Sequence, residues 1–214
     1  HKLKIADIGC GSGASTLVLA KELDAHITAV DFLPEFLRKL ELAAAEAGVE
    51  DRITTLARSM DALPFKEDEL DAIWSEGAIY NMGFEAGIAA WKPFLKPGGI
   101  LAVSELTWLT SKRPAELQTH WEHEYSYVDT ASAKIAILER YGFSLIGYFV
   151  LPEACWLDNY YRPMQRRFGA LLDMHGHSDA VKTIVAAEET EISLYERYKE
   201  FVGYGYYVAR KLDN

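Results

Sequence analysis

Three glycines at alternate positions, Gly9, Gly11 and Gly13, stand between a short apolar run (Leu3, Ile5, Ile8) and a helical pattern (Thr16, Leu19, Ala20, Leu23). Glycine lets the backbone take positive φ and come close to a ligand. A helix start offers unpaired N–H groups to something electron-rich. The stretch therefore reads as a nucleotide-type binding loop. Asp31 ends a second apolar run, Ala25–Asp31, where a carboxylate accepts both hydroxyl protons of a ribose. In open α/β sheets the reacting atoms lie beyond the carboxyl ends of the strands. That rule selects Glu76 and Tyr80, after the run Leu70–Ser75, and Glu105, at the end of Ile100–Glu105, as candidate acceptor contacts. For Glu105 a plain strand-end acid, solvated or paired with a nearby Lys or Arg, is the competing reading.

The elements that must position these residues follow from periodicity and turn chemistry. Strands are expected at Leu3–Ile8, Ala25–Asp31, Arg52–Ala57, Leu70–Ser75 and Ile100–Glu105. Helices are expected at Ala14–Leu23, from Pro34 to a stop at Gly48, and at Ala86–Phe94, with a Lys96-Pro97-Gly98-Gly99 turn before the fifth strand. This alternation predicts a parallel, doubly wound sheet with helices on both faces. Beyond it the texture changes. Residues 106–130 are rich in aromatics and histidines. A helix at Ala131–Tyr141, a strand from Gly142-Phe143 to Leu151, two helices within 152–200 and a last strand Phe201–Arg210 complete the chain. The 152–200 piece reads as a helical insertion between two final strands, and with 106–130 it is a candidate lid and acceptor pocket.

The chain has 214 residues, half of them hydrophobic, enough for one domain with a substantial core. Its 22 basic and 32 acidic residues leave a net charge of −10, which repels phosphate backbones and argues against nucleic acid as a partner. No apolar run reaches the roughly 20 residues of a membrane span. Cys10 and Cys155 set no disulfide framework, so a cytoplasmic, reducing location is expected. His1-Lys2 leads straight into the first strand, and further residues are expected upstream. His120 and His123 share a helix face without a clear third ligand, and no metal site is expected.

The glycine loop alone fits two templates. Gly9-x-Gly11-x-x-Ala14 satisfies the dinucleotide form. Asp7-x-Gly9-x-Gly11-x-Gly13 resembles motif I of class I S-adenosylmethionine-dependent methyltransferases. Asp31 suits both. Three later features favour the second template. Met60-Asp61 ahead of Leu63-Pro64-Phe65 resembles the loop that holds adenine in that superfamily. Leu95-Lys96-Pro97-Gly98-Gly99 resembles its turn before the fifth strand, and two final strands would close its seven-stranded sheet. The closest flavour is the ubiquinone/menaquinone biosynthesis type of small-molecule methyltransferase.

That resemblance implies a single domain over residues 1–214. Its α/β, doubly wound, mostly parallel seven-stranded Rossmann-like sheet has an antiparallel last strand. It implies S-adenosyl-L-methionine as cofactor, S-adenosyl-L-homocysteine as product and a small-molecule acceptor, with a homodimer left open. Carried over by position, Asp7 and the Gly9, Gly11, Gly13 turn line the methionine part. Asp31 holds the ribose, Phe32 packs near adenine, Met60 and Asp61 hold adenine, and Ser75 and Glu76 sit beside the methionine amine and the sulfonium. The sequence Ser75-Glu76-Gly77-Ala78 lacks the motif of nucleobase-amine methyltransferases. The alternatives are a non-catalytic S-adenosylmethionine-binding protein and an NAD-dependent oxidoreductase.

Overall fold

A computed structural model describes residues 2–213. Strand β1 (Leu3–Ile8) is buried on both faces from Ile5 onward, the pattern of a central parallel strand. It pairs in parallel with β2 (Ala25–Asp31) and β4 (Leu70–Ser75). In these ladders Ile5 lies opposite Ile27 on one side and Ala72 on the other. Strand β3 (Ile53–Ala57) pairs with β2, and β5 (Leu95–Trp108) with β4. Strand β8 (Val202–Lys211) runs antiparallel between β5 and β7 (Phe143–Val150), so the path is β3-β2-β1-β4-β5-β8-β7. A two-residue β6 (Asp129–Thr130) adds to β5 off this path. The seven-stranded, mostly parallel architecture is the expected one.

Helix α1 (Ala14–Glu22) starts directly after Gly13. Helix α2 (Pro34–Ala47) begins on proline, whose fixed φ suits a first helical position, and stops at Gly48 in the left-handed region. Ile5, Leu19, Ala20, Ile27 and Ala44 bury together, so α1 and α2 cover one face of the sheet. Ala6, Ile8, Ile73, Ile88, Trp91 and Leu138 bury on the other. That face is covered by α3 (Phe84–Trp91) and α5 (Ala131–Arg140).

Three boundaries differ from expectation by more than one residue. The third helix starts at Phe84 and ends at Trp91, with Lys92–Phe94 as a 3-10 turn. Lys96–Gly99 is a bulge inside β5 and not a turn ahead of it, since pairing with β4 already begins at Leu70–Leu95 and resumes at Ala72–Ile100. Lys96 Nζ closes the bulge on Asp71 at 2.6 Å. Strand β5 also continues three residues past Glu105, to Trp108, so Glu105 is not a strand-end acid.

Two compact units emerge. One comprises 1–106, 131–149 and 204–214 and contains the sheet; the other comprises 107–130 and 150–203. The second holds α4 (Ala115–Glu124), α6 (Glu153–Trp156), a π-helical turn Leu157–Tyr161, α7 (Arg162–Met174) and α8 (Asp179–Tyr198). Its core is aromatic. Trp156 stacks on Tyr195 at 4.9 Å and lies 5.4 Å from Tyr161, whose hydroxyl donates to Glu191 at 2.8 Å. Apart from the His120–His123 stretch, helix α4 escaped periodicity because its apolar face is only Leu117 and Trp121, and the π turn escaped because it departs from the 3.6 period.

Candidate functional site

The glycine loop is built by contacts on three sides. Gly9, Gly11 and Gly13 all have positive φ, at 74°, 54° and 86°. Two of them are sterically forced. A Cβ on Gly9 would lie 2.3 Å from Ala78 Cβ, and one on Gly13 would lie 2.2 Å from Leu40 Cδ1. Gly11 is different, because a Cβ there would meet nothing within 4 Å. Gly11 therefore presents bare backbone to open space, as a surface against which a ligand lies requires. The loop is tethered to β2 by Gly9 and Cys10 N–H groups donating to the Val30 carbonyl.

Asp31 locks the same loop. Its Oδ2 accepts the Gly11 N–H at 2.9 Å and its Oδ1 accepts the Leu33 N–H at 2.9 Å. A carboxylate has about four acceptor positions, so each oxygen keeps one. Asp7 lies beneath the loop, buried, and accepts the Thr16 hydroxyl at 2.5 Å. Burial raises its pKa to about 6; the Thr16 bond opposes this, and the charges of Glu76 and Asp31 add to it. Burial, with Asp7 and Asp31 nearby, also pushes the Cys10 thiol well up, so Cys10 stays protonated.

Glu76, just past β4, reaches over the first turn of α1. Its Oε2 accepts from Ser15 Oγ at 2.8 Å, and its Oε1 from Trp74 Nε1 at 3.0 Å and the Tyr206 hydroxyl at 3.1 Å. Among the described residues no Lys or Arg pairs with Asp7, Asp31 or Glu76. Three carboxylates around one open loop, all without a cation, favour a positively charged ligand. They disfavour a pyrophosphate, which like-charge repulsion would expel. Helix α1 carries no acidic residue in its first turn and no side-chain cap, so its N-terminal amides suit a carboxylate on that same ligand.

The remaining candidates fall into two groups. Met60 joins the loop: its methyl lies 3.6 Å from where a Gly9 Cβ would stand, and its carbonyl accepts the Trp91 indole N–H at 3.0 Å. Asp61 follows it, exposed, and Phe32 beside Asp31 is 72% exposed. Ser75 is fully buried with its hydroxyl donating to the Ile8 carbonyl at 2.8 Å, so its side chain ties β4 to β1. Glu105 is 0% exposed and its Oε1 accepts the Leu106 N–H, deep in the sheet and not at a solvated end. Tyr80 stands half exposed on the 3-10 turn Ile79–Asn81. Among the described residues no three His, Cys, Asp or Glu side chains converge as metal ligands.

Thr16, Ser15, Trp74 and Tyr206 belong to the site and were missed by sequence reasoning. Thr16 left a trace, a polar residue on the apolar stripe of α1. Tyr206 left none, since it is 130 positions from Glu76.

Residues 5–99 match the sequence profile of the family described as "Methyltransferase domain". A 27-O-demethylrifamycin SV methyltransferase of Amycolatopsis mediterranei is 25% identical over 217 residues, covering 98% of this chain and 78% of its own length. A ubiquinone biosynthesis O-methyltransferase of Xylella fastidiosa is 34% identical over 106 residues, covering 48% of this chain and 42% of the relative. The crystal structure of a SAM-dependent methyltransferase from Geobacter sulfurreducens, in complex with S-adenosyl-L-homocysteine, superposes with a TM-score of 0.83. It is 21% identical and covers 97% of this chain and 84% of its own. The chain spans less than half the length of most of the curated relatives it matches. Residues 5–99 are thus similar to a methyltransferase domain, and the chain shares its fold with S-adenosylmethionine-dependent methyltransferase structures.

Proposed function

We propose that the protein transfers a methyl group from S-adenosyl-L-methionine to a small-molecule acceptor, releasing S-adenosyl-L-homocysteine. The observation that carries this reading is the trio Asp7, Asp31 and Glu76 around the bare backbone of Gly11. That environment suits a ligand bearing an ammonium and a sulfonium and is hostile to NAD. The match of residues 5–99 to a methyltransferase profile supports the same conclusion.

In this reading Asp31 uses its two remaining acceptor positions for the ribose hydroxyls. Met60 and Asp61 take adenine, the ring packing on the Met60 side chain and the exocyclic amine donating to Asp61, with Phe32 flanking it. The Gly9–Gly13 turn and the first amides of α1 take the methionine end, and Glu76 its ammonium. Asp7 contributes charge from beneath the loop without direct contact. Ser75 acts by tying β4 to β1. When bound, the cofactor supplies an electrophilic methyl on a sulfonium. The protein's share is then alignment and exclusion of water, which on their own lower a barrier by several kcal/mol. Tyr80 is assigned to the acceptor side. Glu105, buried within β5 and accepting the Leu106 N–H, is assigned to holding that strand. The helical unit, residues 107–130 and 150–203, is assigned the selection of the acceptor. No helix among the described residues is long and apolar enough to cross a membrane.

The test has two arms. Calorimetry with S-adenosylhomocysteine and with NAD should give binding of the first only. Incubation with S-adenosylmethionine and a panel of quinols, phenols, amines and thiols should give S-adenosylhomocysteine stoichiometric with a methylated product. Binding of the cofactor with no turnover on any acceptor would instead favour a non-catalytic binding protein, and binding of NAD alone an oxidoreductase.

A further inference from the structure

The Glu76 carboxylate is unusual in how it is held. A side chain with three rotatable bonds, just outside a strand, would ordinarily sweep through solvent. Here three donors from three elements pin it: Ser15 of α1, Trp74 of β4 and Tyr206 of β8. All three are neutral, so they fix the geometry and leave the negative charge intact. They fill three of about four acceptor positions on the carboxylate, which leaves one for a further donor.

Tyr206 is the anchor of this arrangement. Its ring is 4% exposed and lies flat against Phe149, with centroids 5.1 Å apart and planes 2° from parallel. On another side it meets Trp74 at 5.6 Å. Burial and the Glu76 charge hold its phenol well above the usual tyrosine range, so it remains a donor at any working pH. Trp74 and Tyr206 thus converge on one oxygen while packing on each other. Tyr204, two residues before on the same strand, closes over the Gly77 backbone, within 3.7 Å of where a Cβ would stand. The last strand of the chain therefore packs against the turn 76–77.

We infer that Tyr206 is a positioning residue for cofactor binding, acting through Glu76 to present a fixed, uncompensated carboxylate to the ammonium of the methionine end. The inference rests on the proposed cofactor reading and adds a residue to it. A freely rotating Glu76 would lose conformational entropy on gripping a ligand, while a pre-set one would not. Tyr206 confers that pre-setting at the amino-acid end alone and has no effect on the nucleoside end.

The experiment compares two ligands that differ only in that end, S-adenosylhomocysteine and 5′-methylthioadenosine, by calorimetry on the full chain. In Tyr206→Phe the ring and its stacking remain and the donor is lost. The homocysteine ligand should weaken about tenfold, with the methylthio ligand unchanged within about twofold. In a Glu76→Ala background, which removes the acceptor altogether, adding Tyr206→Phe should have no further effect on either ligand. Equal weakening of both ligands, or a full effect persisting without the Glu76 carboxylate, would overturn the inference. If the wild-type chain binds neither ligand, the cofactor reading fails and the inference with it. Should Tyr206→Phe not fold, Phe149→Leu takes its place. It unstacks the ring at a position already half exposed, and the same ligand selectivity is expected.

Discussion

The backbone N–H of Gly11 donates to Oδ2 of Asp31 at 2.9 Å, so the acid that ends β2 holds the loop that follows β1. One side chain thereby shapes the loop and keeps acceptor positions for a ligand. Asp31→Ala removes both. It should weaken S-adenosylhomocysteine by at least about 100-fold, since hydrogen bonds to a charged group contribute about 1.5–3 kcal/mol each. Calorimetry reads this directly, and unchanged affinity would place the ribose elsewhere.

The three loop glycines should separate stability from binding. Gly13→Ala drives a methyl into Leu40 and demands a left-handed alanine. Overpacking and backbone strain together predict a loss of about 2–5 kcal/mol in a urea titration. Gly11→Ala meets no protein atom, so it should cost only the backbone strain, about 1–2 kcal/mol. Its methyl would occupy the face left bare for the ligand, and cofactor affinity should fall far more than stability.

Asp7 gives a pH signature with a definite sign. Its folded pKa of about 6 lies above the ordinary carboxyl value of 3.8, so the folded chain holds the proton longer than the unfolded one. Between about pH 4 and 6 the ligand-free protein should lose stability as pH rises, by roughly 3 kcal/mol, and then level off. Cofactor affinity should rise through the same window as Asp7 becomes negative. Asp7→Asn should flatten both curves, measured by denaturant titration and calorimetry from about pH 4.5 to 8.

In the helical unit, Tyr161 is fully buried and donates to Glu191, a half-buried acid whose pKa burial already raises. Tyr161→Phe strands that carboxylate and should cost about 1–3 kcal/mol of stability, with cofactor affinity unchanged. Glu191→Gln keeps an acceptor and removes the buried charge, so it should be near neutral. Thermal melts of both variants decide the point.

The glycine loop, the acids at Asp7 and Asp31, and the bounds of β1, β2 and β4 were legible in the sequence. Each rests on a local signal: glycine's access to positive φ, a proline at a helix start, an apolar run long enough for a buried strand. The Lys96–Gly99 motif was legible as a landmark, yet only the register of β4 with β5 shows it as a bulge clamped by Asp71. The inward course of Glu105, the burial of Ser75 against Ile8 and the bracing of Glu76 by Tyr206 were decided by the tertiary structure. The reason is physical. Periodicity and turn chemistry act over a few residues, whereas β8 is inserted between β5 and β7 from the far end of the chain. What its side chains meet there depends on sheet order and register, which no local pattern encodes.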